Sequence, residues 1–373
     1  MKNDRQPLYR QIQEYFQEQI RTGQLKNDDK IPSDKELMEQ FEVSRITIAT
    51  ALVQLAKEGW IYRIPGRGSF VKEVVGEELV NSEQAVGREK EKKITLIIPT
   101  LQDFFAIRLI SGINDVLMEQ GYYLYVALSN NCIETEKSLI LENVSGGTSG
   151  LIIFPCDAQT YNEEILALKL RNYPFVLIDR CFAGVETNFV CTDSMEGAKL
   201  ALNHLWELGH RDIAICSDTP LPTITVNDRI AGYLEALKLK GVMINPAMIL
   251  TDFQVDYSDI REEHPLYRFI RSRMATAYIT LNARLGIYIS YVARQIGLRV
   301  PEDISIVTFD DPSSGFDEFG SFTHISQSEL MMGREAAEIL VKLLEGKEQG
   351  NKYNKMIKKP ELVVRSSTGQ LEA

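Results

Sequence analysis

Several apolar, strand-like runs in the larger part of the chain end directly in a polar residue. These residues are Asp103, Asp157, Asp179 with Arg180, Asn282, and Asp310 with Asp311. Ligands bind beyond the carboxyl ends of strands in parallel sheets, and carboxylate, amide and guanidinium groups exchange hydrogen bonds with hydroxyl groups. The pattern predicts a site for a small polyol. Capping of helix N-termini is the alternative for each residue taken singly.

A different chemistry is indicated near the N-terminus, where Arg45 lies in the first turn of a predicted helix. A guanidinium group can form two hydrogen bonds to a guanine edge, and a helix N-terminus favours a phosphate. Arg45 is therefore a candidate DNA contact, and a solvated surface arginine is the alternative.

The segment around Arg45 has the pattern of three helices. Apolar residues every four positions over 8–20 predict an amphipathic first helix. Ser33 and Glu36 form a capping box for a second helix, and Ser44 can cap a third that ends near Gly59. Because the turn between the second and third helices is short, the pair predicts a helix-turn-helix.

Two β-prone runs, 60–64 and 69–71, flank a small basic tip and predict a wing-like hairpin. The string IPSDKELMEQFEVSRITIATALVQLAKEGWIYRIPGRGSFV resembles the α+β winged helix-turn-helix of the GntR family. The resemblance implies that the third helix enters the major groove of double-stranded DNA. It assigns DNA contacts to Lys35, Ser44, Arg45, Thr47, Gly66 and Arg67. Ala49 stands where the family usually has an arginine, so one groove contact is lost.

The charge distribution supports a multidomain chain. Residues 1–72, the predicted DNA-binding domain, carry 12 Lys and Arg against 10 Asp and Glu, or +2, within a total of −11. The remaining −13 lies in a charged linker, 73–92, and in a large domain, 93–373. An acidic large domain repels DNA phosphates, whereas the first domain can approach them.

From residue 93 onward, continuously apolar runs alternate with helical patterns, which predicts parallel sheets covered on both faces. The alternation occurs in two sets, so two lobes with a ligand between them are expected. His210, in LGHRD, is expected to have a structural role because no serine or cysteine partner stands near it.

Three strings in this domain resemble the effector domain of LacI/GalR regulators and periplasmic sugar-binding proteins: VCTDSMEGAKLALNHLWELGHRDIAI, NDRIAGYLEALKLKGV and VPEDISIVTFDD. The resemblance implies a two-lobed α/β fold of the type I periplasmic-binding-protein class. It assigns ligand contacts to Asp103, Phe105, Arg180, Arg229, Phe253, Asn282, Asp310 and Gln327. Ala283 stands where the family usually has an acidic residue.

A GntR-like module on a LacI-like sensor is the arrangement of the arabinose-repressor subgroup. This similarity implies a homodimeric, cytoplasmic repressor of sugar-utilisation genes that a small sugar releases from its operator DNA. An arabinose-like pentose is the first expectation, and a non-sugar effector is the alternative.

Other classes receive less support from the sequence. The motifs GxGxxG, GxxxxGK[ST], HExxH and GxSxG do not occur, and the five cysteines show no metal-ligand spacing, so neither a cofactor nor a metal is expected. No apolar run predicts a membrane span. A sugar-processing enzyme with Asp310 as its base is the competing class, and an architectural DNA protein leaves the large acidic domain unexplained.

Replacing Arg45 with alanine is expected to reduce operator discrimination by about 1 to 3 kcal/mol, because a bidentate base contact is lost. A gel-shift titration measures this change. Unchanged operator affinity would refute the assignment of Arg45 to the DNA contact.

Overall fold

The computed structural model describes residues 8–41, 43–57, 59–64, 68–72, 92–102, 104–156, 162–182, 184–219, 223–312, 321–347 and 353–371. For residues 21, 34, 45, 46, 57, 63 and 64 it describes the backbone alone. The chain forms two compact units, Met1–Lys90 and Glu91–Ala373, which are described separately.

The first unit contains α1 (Leu8–Arg21), α2 (Asp34–Phe41), α3 (Arg45–Lys57), β1 (Ile61–Ile64) and β2 (Gly68–Val71). Its strands form an antiparallel hairpin, and Lys30 extends it through a bridge to Phe70. Apolar side chains of all three helices share one core with the hairpin. The predicted winged helix-turn-helix is confirmed.

Local capping explains where α2 begins. The backbone N–H of Ser33 donates to Glu36 Oε2 at 2.7 Å, and the N–H of Glu36 approaches Ser33 Oγ at 3.4 Å. The Ser33 hydroxyl also lies 2.7 Å from the same carboxylate oxygen, and this bond lowers the pKa of Glu36. The predicted capping box is therefore present.

The second unit alternates strands with helices. Its elements in chain order are β3 (Lys93–Ile98), α4 (Phe104–Glu119), β4 (Tyr123–Leu128), α5 (Ile133–Ser145), β5 (Gly150–Ile153), α6 (Glu163–Leu170), β6 (Phe175–Ile178), β7 (Phe189–Thr192), α7 (Ser194–Glu207), β8 (Ile213–Cys216), α8 (Ile224–Leu239), β9 (Ile249–Leu250), α9 (Pro265–Ser272), β10 (Ala277–Thr280), α10 (Ala283–Gln295), β11 (Ser305–Phe309), β12 (Thr323–Ser326), α11 (Glu329–Leu344), β13 (Lys355–Lys358) and β14 (Glu361–Val363). No helix of the described part is long and apolar enough to cross a membrane.

Among the described residues, these strands form two sheets of the same topology. The first has the order β13-β7-β6-β5-β3-β4, and the second has the order β14-β12-β11-β10-β8-β9. Strands pair in parallel except β12 with β14. Each sheet is covered by apolar clusters on its faces, so each is the centre of one lobe.

The chain passes between the lobes three times, after β7, after β12 and after β13. Sequence periodicity predicted the alternating β3 to β11 region but assigned neither α9 nor the last helix and strands. These last elements cross between lobes, so their pairing partners are distant in sequence.

His210 lies at the end of the second sheet opposite to the carboxyl ends of its strands. Its ring is buried and contacts the hydroxyl groups of Thr276 and Ser305 at 3.0 and 2.9 Å. Burial lowers the pKa of His210, so the ring is neutral at pH 7. These contacts are those of a structural histidine.

Two glycines allow α4 and α11 to pack closely. A Cβ at Gly112 would lie 2.0 Å from the Leu330 carbonyl oxygen, and one at Gly333 would lie 2.2 Å from that of Leu109. Backbone atoms cannot rotate away as a side chain can. The contact between these helices therefore requires glycine at both positions.

Replacing Gly112 with alanine is expected to lower the free energy of unfolding by about 1 to 3 kcal/mol, because the methyl group overpacks the α4–α11 contact. Urea denaturation measures the change. Ser111→Ala, at an exposed position of the same helix, is the control and should stay within about 0.5 kcal/mol of the parent. Equal stability of the two variants would contradict the close contact.

Candidate functional site

A cleft of about 1000 Å³ opens at the carboxyl ends of the strands of both sheets. Residues from both lobes line it. Those that the sequence assigned to a ligand and that the structure brings together here are Phe105, Arg180, Arg229, Asn282, Asp310 and Gln327.

Arg229 of α8 is the most deeply buried charged group of the cleft, with 6% of its surface exposed. Its Nη1 donates to the Leu281 carbonyl at 2.7 Å, and its guanidinium carbon lies 4.1 Å from the centre of the Phe309 ring. Burial lowers the pKa of Arg229, and the nearby Asp310 acts in the opposite direction. An arginine remains charged under these conditions because its ordinary pKa lies far above neutral pH.

Gln327 connects Arg229 to Asp310. Arg229 Nη2 donates to Gln327 Oε1 at 3.0 Å, and Gln327 Nε2 donates to Asp310 Oδ1 at 2.6 Å. Gln327 also accepts a hydrogen bond from the Thr192 hydroxyl at its backbone carbonyl, at 2.7 Å. This residue follows β12 at a lobe crossing, so its side chain and its backbone carbonyl together link the cleft to two crossing segments.

Asn282 has two roles at the start of α10. Its Oδ1 accepts from the backbone N–H of Leu285 at 2.8 Å, which caps the helix. Its Nδ2 donates to Asp218 Oδ1 at 2.8 Å, and the hydroxyl of Tyr257 donates to the other oxygen of that carboxylate at 2.7 Å. Both the capping interpretation and the position on the cleft wall therefore hold for Asn282.

Sequence reasoning missed Asp218 and Tyr257. Asp218 follows β8 after one serine, so the rule that identified the other polar residues at strand ends could have found it. Tyr257 lies in the connection after β9, which has no periodic pattern. Its ring packs against the Arg284 guanidinium at 4.0 Å, and burial together with Asp218 raises its pKa, so the hydroxyl remains a donor.

In the first lobe, Arg180 is held against the end of β5. Its Nη1 donates to the carbonyl groups of Pro155, at 3.0 Å, and Cys156, and its guanidinium carbon lies 5.0 Å from the centre of the Phe154 ring. The Nε atoms of Arg180 and Arg229 are buried without a hydrogen-bond partner in the described part of the chain.

Asp179 and Asp310 occupy equivalent places in the two lobes. Asp179 follows β6 and Asp310 follows β11, the third strand of each sheet order. Both have left-handed backbones, with φ of 64° and 67°. This conformation is uncommon for residues other than glycine and is found at functional sites.

Further contacts join the lobes at the rim of the cleft. Arg108 of α4 donates to Asp311 Oδ2 at 3.1 Å, and Arg284 of α10 donates to Gln102. These bonds connect residues more than 180 positions apart in sequence. The structure therefore has the two lobes in direct contact at the entrance.

Two predicted ligand contacts are not found on the described cleft wall. Phe253 packs in the core beside α9 and α10, with its ring 5.6 Å from that of His264. The next residue, Gln254, lines the cleft. Asp103 lies outside the described residues.

The predicted DNA contacts lie in the first unit. Lys35 is exposed on α2, and the hydroxyl groups of Ser44 and Thr47 are 2.9 Å apart at the start of α3. Arg45 begins α3, and its side chain lies outside the described part. Gly66 and Arg67 lie outside it as well.

Comparison with known proteins agrees with this architecture. Residues 8–71 match the gntR family of bacterial regulatory proteins, and residues 202–368 match the periplasmic binding protein-like domain. The protein is therefore a transcriptional regulator with a GntR-type DNA-binding domain and a periplasmic-binding-protein-like effector domain.

The arabinose metabolism transcriptional repressor of Geobacillus stearothermophilus is 32% identical to this chain over the full length of both proteins. That of Halalkalibacterium halodurans is 28% identical over 98% of this chain and 97% of its own. This chain belongs to the family of arabinose metabolism transcriptional repressors.

Solved structures share the fold of the second unit. The transcription regulator CcpA of Lactococcus lactis has a TM-score of 0.65 at 21% identity, covering 75% of this chain and 100% of its own. A LacI family transcriptional regulator from Enterococcus faecium with bound ribose has a TM-score of 0.63 at 24% identity, with the same coverage. At these identities the comparison establishes the fold alone.

Proposed function

We propose that the cleft binds a neutral sugar, with an arabinose-like pentose first, and that the bound sugar releases the protein from operator DNA. The observation that carries this proposal is the hydrogen-bonded chain Arg229–Gln327–Asp310 on the cleft wall. Buried amide, carboxylate and guanidinium groups of this kind recognise hydroxyl groups selectively, because a missing partner leaves a polar group unpaired.

The charge of the cleft favours a neutral ligand over an anion. Asp179, Asp218 and Asp310 line it, and the Nη1 groups of Arg180 and Arg229 already donate to backbone carbonyls. Arginine usually binds a phosphate or carboxylate through two parallel N–H donors. A neutral hydroxyl group needs only a single donor or acceptor, and the carboxylate and amide groups of the cleft wall supply these.

The relatives support the same ligand class. Two are named arabinose metabolism repressors, and a structural neighbour was solved with bound ribose. A regulator that responds to a non-sugar effector is the second candidate for this cleft. A sugar-processing enzyme is a weaker candidate because these relatives are repressors, and an assay for turnover of the bound sugar separates the two.

A sugar between the lobes can control DNA binding by changing how often the lobes are closed. The shift cannot exceed the difference in the sugar's affinity for the two shapes. The Thr192–Gln327 bond connects the cleft wall to two lobe crossings, and the Arg108–Asp311 pair joins the two lobes directly. Since operator DNA is the target, the cytoplasm is the place of action.

A homodimer is supported by an apolar surface on the first lobe. The strand β4 lies at the edge of its sheet and reads YLYVAL, and every residue in it is at least partly exposed. Ile107 and Met118 of the neighbouring α4 are also exposed. An exposed apolar edge strand invites association unless it is covered, and a second copy of the chain would cover it. Two copies would place two winged helix-turn-helix domains on the two half-sites of an operator.

Replacing Asp310 with asparagine is expected to weaken arabinose binding at least tenfold, because a charge-assisted hydrogen bond contributes about 1.5 to 3 kcal/mol. Isothermal titration calorimetry with arabinose measures the affinity, and a gel shift without sugar measures operator binding. Operator binding without sugar should be unchanged because the substitution lies in the sensor.

The matched control is Asp212→Asn, an exposed position at the opposite end of a strand in the same sheet. It should bind arabinose as the parent does. Normal arabinose affinity in Asp310→Asn would remove Asp310 from the site. If the parent protein binds no sugar of a pentose and hexose panel, the sugar proposal itself is wrong.

Replacing Ile107 with glutamate is expected to produce monomers, because a charge would be buried in the apolar dimer surface. Light scattering after size-exclusion chromatography measures the mass. Leu239→Glu, on an exposed position of α8 in the other lobe, is the control and should leave the dimer intact. A dimeric Ile107→Glu variant would place the interface elsewhere.

A further inference from the structure

We propose that Glu136, a residue outside the described cleft wall, positions Arg180 for the sugar by fixing the backbone that holds its guanidinium group. The inference rests on the proposed function, because Arg180 lines the cleft that is proposed there to bind the sugar. It adds a positioning residue on α5, an element from which no ligand contact was predicted.

Glu136 is a buried carboxylate with 1% of its surface exposed. Its Oε2 accepts the backbone N–H of Cys156 at 2.8 Å, and its Oε1 accepts Asn162 Nδ2 at 2.6 Å. Asn162 is equally buried and caps α6 by accepting from the N–H of Glu164 at 3.0 Å. One carboxylate therefore anchors both ends of the connection between β5 and α6.

Cys156 is held at a second atom as well. Its Sγ lies 2.8 Å from the hydroxyl of the buried Ser129, which follows β4. Burial and then the Glu136 charge raise the pKa of Cys156 to about 12, so the thiol remains protonated at neutral pH. With its N–H and its side chain both bonded, Cys156 has a fixed orientation.

That orientation determines where the carbonyl of Cys156 points. Arg180 Nη1 donates to this carbonyl and to that of Pro155, at 3.0 Å for the latter. Glu136 therefore holds the N–H of Cys156, and the carbonyl of the same residue holds Arg180. A shift of this peptide would move the guanidinium group on the cleft wall.

A buried carboxylate is costly to retain, and an apolar residue of similar size would often stabilise a fold more. Only an acceptor with two oxygens can bond both donors here, the Cys156 N–H and Asn162 Nδ2. The presence of a carboxylate at position 136 is therefore explained by the need to orient these two donors.

The test is Glu136→Gln, which replaces one acceptor oxygen with an NH2 group of the same shape. One of the two donors, the Cys156 N–H or Asn162 Nδ2, then faces another donor, so the connection that carries the Pro155 and Cys156 carbonyls loses one of its two anchors. Arabinose affinity measured by calorimetry on the full-length protein is expected to fall about tenfold, because members of one hydrogen-bond network influence each other's energies by about that factor. Operator binding without sugar should be unchanged.

A reciprocal variant tests the mechanism. In Glu136→Gln/Asn162→Asp, the new aspartate can accept from Gln Nε2 and still cap α6, while the Gln oxygen accepts the Cys156 N–H. Arabinose affinity should return to within about twofold of the parent, because each donor again has an acceptor. The control is Glu142→Gln, exposed on the same helix, which should have no effect.

A cycle with Arg180→Ala separates positioning from a general loss of structure. If Glu136 acts through Arg180, adding Glu136→Gln to Arg180→Ala should weaken arabinose binding no further. Additive losses, a Glu136→Gln variant that binds normally, or failure of the reciprocal variant to recover would each overturn the inference. In each of these cases loss of binding in Asp310→Asn would still support the sugar site, whereas a parent protein that binds no sugar of the pentose and hexose panel would remove both proposals.

Discussion

The cleft depends on a positive charge held almost without solvent. Removing a guanidinium group from water costs several kcal/mol unless partners replace the water. Arg229 has such partners in the Leu281 carbonyl, Gln327 and the face of the Phe309 ring, with the Asp310 charge nearby. These partners come from the ends of three strands of one sheet. The strand order of the second lobe therefore determines which groups surround Arg229.

The same arrangement ties the site to lobe movement. Gln327 lies directly after β12, where the chain leaves the second lobe, and its carbonyl accepts from Thr192 at the first crossing. The next residue of the first crossing, Asp193, donates its backbone N–H to the Lys358 carbonyl of the third crossing at 3.0 Å. All three crossings are thus joined by hydrogen bonds. A ligand that moves Gln327 therefore acts directly on the hydrogen bonds that join the three crossings.

The sequence predicted those parts of the site that follow from local pattern. Asp179, Asn282 and Asp310 were found because apolar strands end at them, and Arg229 and Gln327 because of resemblance to known sensors. Tyr257 was missed since its role depends on contact with Asp218, whereas Asp218 follows a strand closely and the strand-end rule could have identified it. Phe253 and Gln254 are neighbours in a connection without periodicity, so no pattern indicates which of them faces the cleft. Glu136 gave no signal because a glutamate within a helix normally faces solvent.

The two lobes have the same strand topology, but different side chains occupy their equivalent positions. At equivalent places the first lobe presents Asp179 followed by Arg180, and the second presents Asp310 followed by Asp311, which pairs with Arg108. Arg180 lines the cleft from the first lobe, whereas Asp311 is held by Arg108 and does not line the described cleft wall. The two halves of the cleft therefore present different charges at equivalent positions. A ligand turned end for end between the lobes would meet different groups, so the site distinguishes the two orientations of one molecule.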